Sequence, residues 1–258
     1  MVEPLVSVDA IGAIDDASLA AGRVDLWRFA YAEVLDDELT AAYLALLTDT
    51  ERGRYERYYF DKDKVMFLAT RALVRTVLSR YRTEIAPTAW RFSNNEHGRP
   101  FVDNCEGLYF NLSNTRGLVV CAVANHPAVG VDVENTTRRT EPQAIAHRFF
   151  SPSEVVGLNA LPAERHRERF FWLWTLKESY IKARSMGLAI PLGHFSFELD
   201  ATTQITIGFD GLDDDPARWR FALLQASSEH LVAVGFGAGA MTLRTASCVP
   251  LRPLAACP

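Results

Sequence analysis

The chain has 258 residues, 48% of them apolar, and a formal net charge of −5; this is enough apolar material for one large core or two smaller ones, and with its basic residues dispersed it gives no global electrostatic reason to expect nucleic acid. Cys105, Cys121, Cys248 and Cys257 are far apart, which excludes paired metal-ligand spacing and a disulfide scaffold and predicts a reduced, cytoplasmic setting. No apolar run reaches the length of a bilayer crossing, and the first twenty residues carry acids rather than a basic start and an apolar run, so the chain is expected to be soluble, without a leader and without membrane contact.

Residues 24–29 read as a strand, and 36–58 and 61–81 as helices with apolar residues at helical spacing. Pro87 ends that helical stretch. Short strands are expected at 90–92 and 108–111, a buried strand at 118–124 and a turn at 125–128. A strand at 129–134 opens a second half with helices at 142–150, 153–159 and 163–184; Ser151 followed by Pro152, Ser153 and Glu154 is a helix start. Strands are expected again at 195–199, 204–208, 219–224 and 231–236, with a turn rich in Gly and Asp at 210–216. Residues 245–258 contain three prolines and little periodicity and are expected to be a poorly ordered tail.

Side chains alternate between faces along a strand, so Asp132 and Glu134 project together while Val131 and Val133 enter the core. Positions four apart share a helical face, which stacks Glu178 on Lys182 and leaves Lys177 on the adjacent face. Taken singly, these acids read as solvated surface groups. Taken together, three carboxylates flanked by lysines suit a hard divalent cation bound with a diphosphate, because such cations take oxygen ligands and few protein carboxylates. Trp172, Trp174, Tyr180 and Phe171 read as the apolar anchor of that helix.

The sequence carries Glu51-Arg52-Gly53-Arg54-Tyr55-Glu56-Arg57-Tyr58-Tyr59-Phe60, then Gly98-Arg99-Pro100 and Phe110-Asn111-Leu112-Ser113-Asn114. Val129-Gly130-Val131-Asp132-Val133-Glu134, Arg148-Phe149-Phe150-Ser151-Pro152-Ser153-Glu154 and Trp174-Thr175-Leu176-Lys177-Glu178-Ser179-Tyr180-Ile181-Lys182 follow. In this order and spacing the blocks resemble the 4'-phosphopantetheinyl transferases of the broad-specificity, surfactin-synthetase-activating type. The resemblance implies an α+β fold of two similar subdomains related by a pseudo-two-fold axis, residues 1–128 and 129–244, with the active site in the cleft between them.

It also implies transfer of the 4'-phosphopantetheine arm of coenzyme A to a serine of an apo acyl, peptidyl or polyketide carrier protein, with Mg²⁺ or Mn²⁺ held by Asp132, Glu134 and Glu178. Arg54, Arg99, Ser113 and Asn114 are then expected to contact coenzyme A, Lys177 and Lys182 its pyrophosphate, and Glu178 and Lys182 to act in catalysis. Arg99 stands where the family has lysine, and Asn114 where it has a histidine that contacts the 3'-phosphate. Arg138 and Arg139 are expected to steer an acidic carrier, and the two-subdomain chain to act as a monomer. Two alternatives stay open: a non-catalytic module that binds coenzyme A or a carrier protein, and a metal-dependent phosphohydrolase.

Overall fold

A computed structural model describes residues 5–199 and 205–254. In chain order the first half holds β1 (Leu5–Ser7), β2 (Gly12–Ala13), β3 (Arg23–Phe29), α1 (Asp37–Leu44), α2 (Asp49–Glu56), α3 (Asp61–Tyr81), β4 (Phe92–Asn94), β5 (Pro100–Val102), β6 (Tyr109–Thr115) and β7 (Leu118–Ala124). The second holds β8 (Val129–Asn135), α4 (Pro142–Phe149), α5 (Pro152–Asn159), α6 (Ala163–Arg184), β9 (Phe195–Leu199), β10 (Ile205–Phe209), β11 (Arg220–Gln225), β12 (His230–Phe236) and β13 (Thr242–Ser247). The fold is mixed α+β, and among the described residues no helix is long and apolar enough to cross a membrane.

Two sheets form the frame, one of five strands in the order β2-β13-β3-β7-β6 and one of four in the order β1-β11-β12-β8. Each strand alternates its apolar side chains between two cores. Val24, Leu26, Val120 and Ala122 of the larger sheet meet Val131, Val133, Val232 and Val234 of the smaller one in a shared core between the sheets. The opposite faces are covered by one long helix each. Trp27, Phe29, Cys121 and Val123 pack under α3, while Ala233, Leu231 and Leu223 pack with Phe170, Leu176 and Tyr180 of α6.

The helix expected over 36–58 is two helices. Thr48 interrupts it: its hydroxyl accepts from Glu51 N while Glu51 reaches back to the Thr48 N–H, a capping box that starts α2 afresh, of a kind worth about 1 kcal/mol.

The termini cross over, which corrects the expected tail. The strand β13 runs parallel to β3, with Thr242 opposite Arg23 and Ser247 opposite Arg28; Cys248 is buried and the Pro250 carbonyl accepts from Tyr43 Oη at 3.2 Å. Residues up to 254 thus belong to the first half's frame, and 255–258 lie outside the described residues. In exchange β1 runs parallel to β11, with Leu5 opposite Leu223. Gln204 of the strand expected at 204–208 also lies outside the described residues, and that strand is β10.

Candidate active site at the seam of the two sheets

The edge strands β6 and β8 do not share a backbone ladder; side chains of β6 bridge them instead. Asn111 Oδ1 accepts from Val131 N at 2.9 Å, and Ser113 Oγ accepts from Val133 N at 3.2 Å. Helix α6 lies across β8 at Gly130, where a Cβ would stand 2.1 Å from the Ser179 carbonyl oxygen and 2.5 Å from Ala183 N. Only glycine permits that approach, and it sets Glu178 and Lys182 over the acidic face of β8.

Asp132 is buried. Its Oδ1 accepts from Lys182 Nζ at 2.6 Å and from Ser113 Oγ at 2.9 Å, and Lys182 Nζ also donates to Ser113 Oγ at 2.9 Å. Its Oδ2 is buried and has no hydrogen-bond partner among the described residues. Such an orphaned oxygen is costly in a protein interior unless a ligand completes it.

Glu134 takes Trp174 Nε1 at 2.8 Å on one oxygen and an ion pair to Arg138 at 3.0 Å on the other. Burial, then the charge of Asp132, push its pKa up to about 7, against the pull of Arg138. The same two causes raise Glu178, opposed by Lys182. Among the described residues nothing donates a hydrogen bond to Glu178.

The charge of Asp132 thus acts on both Glu134 and Glu178, which places the three acids in one electrostatic neighbourhood. They do not form a ready cage: among the described residues no three acidic, imidazole or thiol side chains converge closely enough to hold a metal ion. Lys182 on Asp132 and Arg138 on Glu134 supply the positive charge there. The donor set nevertheless suits a hard cation, since it is all carboxylate oxygen and one of those oxygens is unpartnered.

A cavity of about 280 Å³ opens beside Glu178 and Lys182, lined also by His97, Arg99, Asn111 and Ser185. Asn95 builds its rim. Its Nδ2 donates to the Ser185 carbonyl at 2.8 Å, and its Oδ1 accepts from His97 N and Arg99 N.

Two expected coenzyme A contacts are placed otherwise. The Lys177 side chain is fully buried, its Nζ 2.7 Å from Glu154 and donating to the Leu192 and Phe195 carbonyls. It points into the second half's core, because one helical step of about 100° separates it from Glu178. The Arg99 guanidinium is a clamp. It donates to the Lys182 and Ala183 carbonyls at the end of α6, to Ser185 Oγ, and to the Phe110 and Val129 carbonyls of β6 and β8; burial pushes its pKa down to about 10.

Arg54 lies away from the seam on α2, exposed, with its guanidinium 5.5 Å from the centroid of the Phe67 ring and Arg71 at 5.4 Å from the same ring. Asn114 is exposed on β6 and donates to Thr70 Oγ1 at 3.4 Å. Arg138 is committed to Glu134 and Arg139 is exposed. Sequence reasoning missed Trp174 as a partner of Glu134; its place three residues before Lys177 reads only as core. Asn111 lay inside a quoted motif, but its bridging role needed the neighbouring strand.

Comparison with known proteins joins these observations. Residues 128–235 match the 4'-phosphopantetheinyl transferase superfamily, and residues 35–126 match the 4'-phosphopantetheinyl transferase N-terminal family. The 4'-phosphopantetheinyl transferase Sfp of Bacillus subtilis is 32% identical over 67% of this chain and 75% of its own length. HetI, a 4'-phosphopantetheinyl transferase of Nostoc, is 32% identical over 67% and 73%. A phosphopantetheinyl transferase of Thraustochytrium is 32% identical over 82% and 77%. The chain belongs to the 4'-phosphopantetheinyl transferase family.

Proposed function

We propose that the seam transfers the 4'-phosphopantetheine arm of coenzyme A to a serine hydroxyl of an apo carrier protein and releases 3',5'-adenosine bisphosphate. The reading rests on one observation above all: in a chain of this family, the buried and unpartnered Asp132 Oδ2 sits beside a lysine and two further carboxylates whose pKa values burial has raised.

Mg²⁺, or Mn²⁺ in its place, would be held by Asp132 with Glu134 and Glu178, and when bound would neutralise charge on the diphosphate. Lys182 reaches the seam on a flexible stem, half-exposed. Its ammonium can pass from Asp132 to a phosphate oxygen and stabilise the charge that grows as the leaving group departs. Glu178, to which no described residue donates a hydrogen bond and whose pKa burial raises, is the group that accepts the serine proton. Arg99 holds the end of α6 against both sheets and so keeps Lys182 in register with Asp132.

Coenzyme A spans the first half in this reading, with Arg54 and Asn114 toward its nucleotide and the cavity by His97 next to its diphosphate. The two halves repeat the strand order β3-β7-β6 and β8-β12-β11 with one long helix after the first strand of each, which supports a pseudo-two-fold relation with the site on its axis. A seam built within one chain supports a monomer, and the free thiols of Cys105, Cys121 and Cys248 support a reducing, cytoplasmic setting.

The test is intact-mass analysis of apo acyl and peptidyl carrier proteins incubated with the protein, coenzyme A and Mg²⁺. A gain of about 340 Da that disappears with EDTA is expected, the metal being needed for charge neutralisation. Coenzyme A that binds without any mass gain on any carrier would overturn the transfer.

A further inference from the structure

The strand β8 has a second face. Val131, Val133 and Asn135 alternate with Asp132 and Glu134, and the two valines enter the core shared by the sheets. Asn135 ends that row and lines a cavity of about 590 Å³ at the end of the sandwich, on the far side of β8 from the carboxylates. Arg28 of β3, Arg116 and Gly117 of the β6–β7 turn, Thr137 after β8 and His230 at the start of β12 form other walls.

Some cations elsewhere in the fold are closed by acids. Arg23 closes on Asp16 and Asp25, Arg75 on Glu51, and Arg184 on Asp214. Arg28, half-buried, has its Nε on Thr245 Oγ1 at 3.1 Å and, among the described residues, no ion pair and no further side-chain hydrogen bond. Burial pushes its pKa down, against the charge of Asp9. Arg116 likewise has no ion pair among the described residues. One acid, Glu229, also lines the cavity, at 3.5 Å from Asn135 Nδ2.

The position of Arg116 is built. Its carbonyl accepts from His230 Nε2 at 2.8 Å, His230 Nδ1 meets Ser227 Oγ at 2.8 Å, and Gly117 adopts a φ of 91° against the His230 ring. A turn of the first half is thereby fixed to a turn of the second.

We propose that this cavity binds a small phosphate-bearing anion at a second site, independent of the seam. Two guanidinium forks offer paired N–H donors that match phosphate oxygens, the Thr137 hydroxyl lies on the wall, and the volume exceeds that of a bare phosphate, leaving room for the organic part of an ester. Bound there, the anion ties β3 and the β6–β7 turn to β8 and the β11–β12 turn, so it stabilises the folded protein in proportion to its occupancy.

The test uses the full chain, with inorganic phosphate and ribose 5-phosphate as probes at constant ionic strength against a chloride control, read by calorimetric titration and thermal unfolding. Saturable binding with a rise in Tm is expected for the wild type. Arg116→Gln and Arg28→Gln should each weaken it by about tenfold or more, the effect of a lost charge-assisted contact. Arg28 also touches strand β13 through Thr245, so the exposed Arg116 carries the test if Arg28→Gln fails to fold. Lys182→Ala should bind the anion like wild type, and Arg116→Gln should bind coenzyme A like wild type. Tighter binding of the ester would identify an ester ligand, and equal affinities the free anion. Absence of saturable binding in the wild type, unchanged affinity in Arg116→Gln, or loss of the anion in Lys182→Ala would overturn the proposal.

Discussion

Five residues apart on α6, two lysines each meet a carboxylate, and the two pairs have opposite characters. Lys177 and Glu154 are sealed, with 0% and 2% of their side chains exposed. Glu154 Oε2 also accepts from Ser151 N at 2.9 Å, and its Oε1 accepts from Phe197 N at 2.9 Å. Every polar atom of that carboxylate is spoken for. Lys182 and Asp132 lie on the seam with 27% and 7% exposed, and one oxygen of Asp132 has no partner among the described residues. A closed pair of this kind fixes a helix; an open one with an orphaned oxygen can exchange its partner for a ligand.

Breaking the closed pair should have the largest effect. Lys177→Met leaves the Glu154 carboxylate buried without its cation, a change that costs about 3–5 kcal/mol. The variant should lose that much in urea-unfolding free energy, and the double variant Lys177→Met with Glu154→Gln should recover part of it. Equal stability of Lys177→Met and wild type would show that the pair does not hold α6.

The open pair should behave in the reverse way. Asp132→Ala should lower the transfer rate by about 10²–10³, the scale of losing one preorganised electrostatic contact, while its unfolding free energy falls less than that of Lys177→Met. Carrier modification at the wild-type rate under saturating coenzyme A and Mg²⁺ would remove Asp132 from the chemistry.

The members of the open pair were singled out in sequence although their pairing was not, and Glu154 of the closed pair was read only as part of a helix start, for physical reasons. Period-two alternation places Asp132 and Glu134 on one face whatever lies opposite, and the four-residue helical step stacks Glu178 on Lys182. Which side of α6 turns inward cannot be read the same way, because Phe171, Trp172, Leu173, Leu176, Tyr180 and Ile181 make the helix apolar over most of its circumference. The capping box at Ser151 and Glu154 is a local pattern and was readable; the second use of Glu154 as the partner of Lys177 depends on a contact 23 positions away. Strands β1 and β13 escaped for a related reason. Each is stabilised by parallel pairing to a strand from the other end of the chain, and a short segment such as Leu5–Ser7 carries no periodicity of its own.

Glu134 sharpens the comparison through pH. Its carboxyl is raised to about 7 by burial and by Asp132, so between its ordinary pKa of 4.5 and 7 the folded state keeps a proton that the unfolded state has released. By linkage, the contribution of this group to stability is full at low pH and is lost as pH rises through that window, on the order of 2–3 kcal/mol. That sign is opposite to the usual carboxylate. Unfolding free energies at pH 5 and pH 7.5, taken without divalent metal, should differ more for wild type than for Glu134→Gln; identical slopes would show that Glu134 is not titrating in this range.

The smallest effect is expected at Asn114, at the outer edge of the seam. The residue is exposed and, among the described residues, its side chain makes one hydrogen bond, a long one to Thr70, so a substitution there tunes binding without disturbing the Asp132 network. Asn114→His adds a group whose ordinary pKa is near 6.5 and which becomes cationic below it. An exposed cation of this kind contributes roughly 0.2–1 kcal/mol toward a phosphate, a severalfold fall in KM for coenzyme A, larger at pH 6 than at pH 8. The carrier KM and kcat should hardly move, because Lys182 and the carboxylates are untouched. A coenzyme A KM that is the same for Asn114→His and wild type at both pH values would place the nucleotide away from β6, and with it the first half's share of the site.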